Sequence, residues 1–394
     1  MALKTFGKII FNKQDDSWEM HNVAPHVCIK LKSIFPKIPK TQVSPFEFEN
    51  TTEHCHDILW FIDRYPFEIC ESDLSKLKNR RKKHLATAQK LEEIFVPDYK
   101  PKPIELKDGF TAREYQLKVA DFDRLQKRFL LGDDIGLGKT LEAILTLFNE
   151  KKLPAIVVVQ THLPKQWKED GIEKFTNLSC HIIKGTRPYT LPPADVYIIK
   201  YSCLAGWVNI FETKFFKAAI FDEIQELRIT GSAKYSAGKV LSDSVEYCIG
   251  QSGTPVYNFG DEIYNVLNLI KPGCLGDWSD FIREWANPYG QNHYKVTDPK
   301  ALGSYLRDNY LMLARTRKDV GRELPPLNTI VYTVGYDSTE VKKSEEIARQ
   351  LALKVVGGSF TERGQAAREL DAFMRHQTGV AKAKEVAAFV RIIL

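Results

Sequence analysis

The run Gly132-Asp133-Asp134-Ile135-Gly136-Leu137-Gly138-Lys139-Thr140 holds the densest chemistry in this chain. Gly136 and Gly138 let main-chain N–H groups approach phosphate oxygens, Lys139 can set its ammonium on β- and γ-phosphates, and Thr140 can offer a hydroxyl to Mg²⁺. One position departs from the strict pattern of such loops: Asp133 stands where a glycine is usual, five residues before Gly138. A second group follows the apolar run Ala218-Ala219-Ile220-Phe221, which leads into Asp222-Glu223-Ile224-Gln225. At the carboxyl end of a parallel strand, Asp222 is placed to hold Mg²⁺ and Glu223 to orient or polarise an attacking water. Further on, Ser252-Gly253-Thr254-Pro255 is a hydroxyl-rich turn able to bond the acidic pair and sense a γ-phosphate. Upstream, Gln116 in Ala112-Arg113-Glu114-Tyr115-Gln116 carries an amide that could read an adenine edge.

These residues need strands and helices to hold them. Phe129-Leu130-Leu131 reads as a strand, and Leu141, Ile144, Leu145 and Phe148 give the segment after the loop one apolar side, so a helix N-terminus faces the anion. Between residues 110 and 270, short β-rich runs at 129–131, 155–159, 196–199, 218–221 and 245–249 alternate with helical segments. That alternation predicts an α/β lobe with a parallel sheet and covering helices. Residues 4–23 read as a hairpin, Pro25 opens a helix with Ile29, Leu31 and Ile34 as its apolar positions, and residues 35–45 form a linker. An amphipathic piece at 57–65 and a helix at 71–95 complete a small α+β N-terminal accessory domain, residues 1–100. Residues 101–335 form the nucleotide-binding lobe, and 336–394 a helical segment.

Composition sets the outer bounds. The chain has 394 residues, 43% apolar and 27% charged, enough for two or three domains with proper cores. No stretch approaches the roughly 18 uninterrupted apolar residues of a membrane span, and Lys4 and Lys8 precede no signal-peptide core. Seven cysteines without CxxC pairs predict reduced thiols. The net charge of +6 permits a polyanionic partner. Lys76, Lys78, Arg80, Arg81, Lys82 and Lys83 crowd the 71–95 helix, and the last four are candidates for contact with DNA phosphates. His54-Cys55-His56 lacks a second ligand pair, and on an extended segment its neighbours point to opposite faces, which argues against zinc. Trp278, Phe281 and Trp285 have the spacing of a helix packing into a core.

Taken together, Arg113 to Gln116, Asp133 to Thr140, Gln166-Trp167, Asp222 to Gln225 and the stretch from Ser252 to Asn258 resemble the SWI/SNF-type ATPases of helicase superfamily 2. Asp-Glu-Met-Gly-Leu-Gly-Lys-Thr is that family's form of the loop, with Asp134 and Ile135 here replacing Glu and Met. Lys271-Pro272-Gly273, Arg315 to Val320 and Glu323-Leu324-Pro325-Pro326 extend the resemblance over about residues 105–335. The resemblance implies a RecA-like P-loop lobe in an ATP-driven motor on double-stranded or branched DNA. In that reading Gln116 contacts adenine, the loop from Asp133 to Thr140 holds ATP, and Asp222 and Glu223 serve metal and water. Ser252, Gly253, Thr254 and Gln225, which replaces the family's more frequent histidine, couple hydrolysis to DNA. Gln160-Thr161-His162-Leu163 lies where the family's next motif meets the DNA backbone, with Gln160 in place of the usual proline, which makes His162 a DNA-binding candidate.

Such motors close their site with a second RecA-like lobe that supplies arginine fingers, and the expectation is that this lobe lies outside these 394 residues, the sequence being a fragment or its site being completed by another chain. The expectation is a chain that binds nucleotide but turns it over poorly until a second lobe, in cis or in trans, completes it. Its place would be the cytoplasm of a prokaryotic or phage-infected cell, or a nucleus. Two alternatives stand beside annealing or branch migration: a remodeller that displaces proteins from DNA, and a nucleotide-gated DNA-binding scaffold.

Overall fold

The computed structural model describes residues 5–35, 38, 41–254, 259–289, 293–322, 330–357 and 359–393. Lys4, residues 36, 37, 39 and 40 of the 35–45 linker, residues 255–258 of the hydroxyl-rich stretch and residues 323–326 lie outside them. The chain divides into two compact units, Met1–Glu323 and Leu324–Leu394.

The first unit begins with the expected hairpin. β1 (Lys8–Asn12) and β2 (Ser17–His21) pair antiparallel, and β3 (Phe46–Glu49) adds to β2. Alternation puts Trp18, Met20, Phe46 and Phe48 on one face, where they are buried with Val27 and Leu31 of α1 (Pro25–Ile34) and Ile58, Leu59 and Phe61 of α2 (Thr52–Arg64). Of the three apolar positions predicted on α1, only Leu31 is buried, while Ile29 is 70% exposed. The helix turns its Val27–Leu31 edge inward, an i,i+4 pair, and Ile29 falls about 200° away from Val27. The His54-Cys55-His56 segment is helical rather than extended: Cys55 is buried and the His56 ring stacks on His84 at 4.8 Å. Among the described residues no group of three or more His, Cys, Asp or Glu side chains could hold a metal ion.

α3 (Glu71–Phe95) runs over the predicted range and serves two cores. Leu77 belongs to the N-terminal core, whereas Leu91 and Ile94 pack with the large sheet. That sheet has seven parallel strands in the order β12-β4-β9-β8-β5-β7-β6. They are β4 (Arg128–Leu131), β5 (Ala155–Val159), β6 (Cys180–Ile182), β7 (Val196–Lys200), β8 (Ala218–Phe221), β9 (Tyr247–Gln251) and β12 (Met312–Leu313). Strict alternation fills both faces. Leu130, Ile156, Val158, Ile199, Ala219 and Phe221 look one way; Phe129, Leu131, Val157, Ile198, Ile220 and Ile249 look the other. Burial on both faces is why the sequence shows continuous apolar runs rather than an amphipathic pattern.

The predicted runs at 155–159 and 218–221 match β5 and β8 in full. The two edge strands were not anticipated: β6 and β12 have three and two residues, too short for periodicity to register. Along the chain between β9 and β12 lies an antiparallel hairpin, β10 (Ala286–Tyr289) and β11 (His293–Val296). Before it, the helix Trp278–Trp285 buries Phe281 completely and lays Trp278 and Trp285 against the core, as their spacing predicted. The second unit consists of the helices Ser338–Gly357 and Phe360–Ile393, in which Ala366 and Ala381 are buried. No helix among the described residues is long and apolar enough to cross a membrane.

Candidate functional site

Every candidate residue of the motor motifs leaves the carboxyl edge of the seven-stranded sheet or the helix beside it. β4 turns into the loop at 132–138, β8 into Asp222, β9 into Ser252, and β5 into Gln160 and His162. This is the edge where open parallel sheets hold their ligands.

The loop ends in α5 (Lys139–Thr146), with Gly138 as its N-cap at φ +90°. A Cβ on Gly138 would lie 2.7 Å from Gln116 Nε2, so both the left-handed backbone and the packing require glycine there. Lys139 Nζ donates to the carbonyl of Asp133 at 2.7 Å, which curls the loop around its own ammonium. Gln116 lies behind the loop on α4 (Glu114–Gln126), 2% exposed. Its Oε1 accepts from Arg113 N at 3.1 Å and its Nε2 donates to Leu137 O at 3.0 Å. Tyr115 Oη donates to the same carbonyl at 2.7 Å.

Asp133, the departure from the glycine pattern, is fully buried and does not face the loop's interior. Its carboxylate accepts from Arg315, through Nε at 3.0 Å, Nη2 at 2.6 Å and the main-chain N at 2.9 Å. The same guanidinium donates to Glu142 Oε1 at 3.0 Å and to Tyr115 O at 2.5 Å. Glu142 is also fully buried, with Oε2 lacking a hydrogen-bond partner. Burial first, then the neighbouring Asp133, push its carboxyl up to about 9, so Glu142 is protonated at neutral pH. Arg317 continues the clamp: its N donates to Asp134 Oδ2 at 3.1 Å and its Nη2 to Ile135 O at 2.6 Å.

On the other side, Asp222 Oδ2 accepts from Trp167 Nε1 at 2.8 Å. Burial raises the Asp222 carboxyl above its ordinary range; the Trp167 bond and the Lys139 ammonium oppose that rise, and Glu223 adds to it. Lys139 and Asp222 are near enough for the ammonium to favour the ionised carboxylate. Glu223 has φ +51°, and Gln225 Nε2 donates to its Oε2 at 2.6 Å. Ser252 is buried and its Oγ accepts from Thr254 N at 3.0 Å. At Gly253 a Cβ would come within 3.4 Å of Lys139 Nζ, so this turn lies directly on the lysine. Gln251, which no sequence motif singled out, is buried and donates through Nε2 to Lys139 O at 2.6 Å.

Arg80, Arg81, Lys82 and Lys83 lie on α3, and being consecutive they spread around the helix rather than along one face. Lys82 and Lys83 are exposed; Arg81 is half-buried and pairs with Asp63 at 3.1 Å. His162 is exposed on the turn after β5. Arg315, Arg317 and Glu142 are the residues that sequence reading passed over. Both arginines stood inside a quoted stretch, but nothing in their spacing tells that they meet a loop some 180 positions earlier.

The model of the SNF2-related domain matches residues 60–381. The chain belongs to this family. Among SNF2-related relatives, the uncharacterized ATP-dependent helicase YqhH of Bacillus subtilis is 26% identical, over 70% of this chain and 48% of its own length. The human DNA annealing helicase and endonuclease ZRANB3 is 24% identical, over 68% of this chain and 26% of its own. The chain thus spans about half or less of the length of these relatives. A solved structure described as the Sulfolobus solfataricus SWI2/SNF2 ATPase core in complex with dsDNA aligns with a TM-score of 0.48 and 23% identity, over 70% of this chain and 59% of that one. The chain is thus a SWI/SNF-type superfamily 2 ATPase by family, and the Asp133 side chain in its loop serves the clamp with Arg315.

Proposed function

We propose that this SNF2-related chain is the nucleotide-binding part of an ATP-driven translocase on double-stranded or branched DNA. The observation that carries the reading is the convergence of Lys139, Asp222 and the Ser252–Thr254 turn around one glycine-shaped loop at the sheet's carboxyl edge. The donor set fits a magnesium nucleotide. Gly136 and Gly138 adopt the left-handed backbone without a Cβ, Lys139 supplies a cation, and Thr140 and Asp222 are the groups that would hold Mg²⁺. When bound, the metal supplies charge compensation on the phosphate oxygens. Glu223, held by Gln225, positions the attacking water, and Ser252 to Thr254 relay the state of the site.

A cavity of about 710 Å³ bordered by Arg113, Tyr115 and Arg315, residues that flank the loop's braces, is the room this reading gives the nucleoside end; no residue of the loop itself lines it, nor does Asp222. The amide of Gln116, already engaged with Arg113 and Leu137, acts on adenine mainly by fixing the loop. His162, at the same edge, and the exposed Lys82 and Lys83 contact DNA phosphates. Branched DNA is the preferred substrate in this reading, supported by the likeness to an annealing helicase. A second RecA-like lobe, in cis or in trans, supplies the arginines opposite the loop, and turnover depends on it.

The test is a titration of the 394-residue chain with a fluorescent ATP analogue and Mg²⁺. Lys139→Ala removes about two charge-assisted hydrogen bonds and should weaken binding by about 100-fold. Adding a second lobe and a DNA junction should raise hydrolysis above the level with duplex alone. Equal nucleotide binding by Lys139→Ala would overturn the reading.

A further inference from the structure

The segment carrying Arg315 and Arg317 has an unusual double relation to the site. In the chain it lies between β12 and the second compact unit, which begins at Leu324. In space it runs alongside the phosphate loop almost residue for residue. Gly132 N donates to Leu313 O at 2.8 Å, and Asp134 N to Arg315 O at 3.0 Å. Arg315 N returns to Asp133 Oδ1 at 2.9 Å, and Arg317 N to Asp134 Oδ2 at 3.1 Å. Both guanidinium groups then reach over this ladder. Arg315 grips Asp133, Glu142 and the Tyr115 carbonyl, while Arg317 takes the Ile135 carbonyl. A Cβ at Gly136 would meet Arg317 Nη2 at 3.0 Å, so that glycine also makes room for the second arginine.

From this we infer that Arg315 and Arg317 are positioning residues which tie nucleotide affinity to the seating of the exit segment at residues 313–322. The inference rests on the loop being the nucleotide site. Its logic is linkage. Main-chain N–H groups can surround a phosphate only in the loop conformation that the ladder holds, so withdrawing the segment releases the loop. It also leaves buried Asp133 and Glu142 without their shared cation, close to where an anion must bind. By reciprocity, a nucleotide that selects the held loop must stabilise the seated segment. Whatever pulls on the chain beyond residue 322 therefore acts on the phosphate loop through two arginines.

Arg317→Ala is the informative variant, because the carbonyl it abandons belongs to Ile135, which is 68% exposed and can turn to water. Its expected effect is a loss of about tenfold in Mg-ATP affinity, the equivalent of one charge-assisted hydrogen bond, with an unchanged unfolding midpoint. Arg315→Lys keeps the charge, loses the fork, and should lose more. In the unaltered chain, Mg-ATP should slow amide hydrogen exchange at Arg315 and Arg317, and Arg317→Ala should abolish that protection at Arg315. Two failures are distinguishable. If the unaltered chain and Lys139→Ala bind Mg-ATP alike, the nucleotide reading falls and takes this inference with it. If only Lys139→Ala loses binding, while Arg317→Ala binds normally and exchange at residues 313–322 ignores nucleotide, the loop keeps its role and the coupling is overturned.

Discussion

On the lysine side of the cleft many bonds hold one shape: Lys139 bonds its own loop, Gln116 and Tyr115 brace Leu137, and Arg315 answers Asp133 and Glu142. On the acid side the groups are held more sparingly. Asp222 accepts from the Trp167 side chain and the Glu223 main chain, and Glu223 from Gln225. The contrast separates two tasks. A loop that binds phosphate through main-chain N–H groups must have its shape fixed beforehand, since shape is all it contributes. Carboxylates that handle a metal and a water act through charge, so burial and a few donors set their behaviour.

The largest effect should come from the acid side. Glu223→Gln keeps the size and the partner Gln225 but removes the carboxylate proposed to act on the attacking water. In the presence of a second lobe and DNA, turnover should fall by about 10²–10⁴-fold while Mg-ATP binding stays within a factor of about two. Steady-state hydrolysis beside equilibrium binding checks this. Equal losses in both would mean that the acid side also shapes the phosphate site, and the division of labour would be wrong.

How much of this was legible beforehand follows the same division. The α/β order, the parallel sheet and the positions of Lys139, Asp222 and Ser252 could be read because strand, turn and catalytic residue lie next to one another in the chain. Family resemblance added that Asp133 was no accident. The function of Asp133 was not legible, since its partner Arg315 lies two residues past an edge strand of two residues that periodicity cannot detect. Glu142 reads as a polar position on a helix whose neighbours Ala143, Ile144 and Leu145 are buried, and nothing local says that it too is buried. The cationic run on α3 was legible only as composition: consecutive positions diverge around the helix, and Arg81 is paired with Asp63.

Glu142 also sharpens the lysine side in a way that stability can measure. The folded chain keeps a proton on Glu142 up to about pH 9, whereas the unfolded chain releases it near the ordinary 4.5. Between those limits the native state binds more protons, so this residue's contribution to stability is fully present below the lower limit and is lost as pH rises toward the upper one. Glu142→Gln keeps an acceptor for Arg315 and a donor toward Asp133 but has no proton to release. Its stability relative to the unaltered chain should therefore climb with pH, by at most about 1.4 kcal/mol per pH unit. Urea unfolding at several pH values reads this directly; parallel curves would mean that Arg315 already holds Glu142 ionised.

Trp167→Phe probes the acid side at its smallest scale. The indole N–H favours the ionised form of Asp222, opposing the burial that raises its carboxyl above the ordinary range. Without that donor the carboxyl should rise further, so Mg-dependent ATP binding should weaken several-fold at mildly acid pH and recover as pH increases. The indole lies against the core beside Ile172, and phenylalanine fills most of its volume, so the loss at high pH should be slight. A pH series of Mg-ATP affinity separates the two contributions. A deficit that persists unchanged into the alkaline range would mean that Trp167 supports the acid side by packing, and that Asp222 is ionised without help, as self-sufficient as the clamp across the cleft.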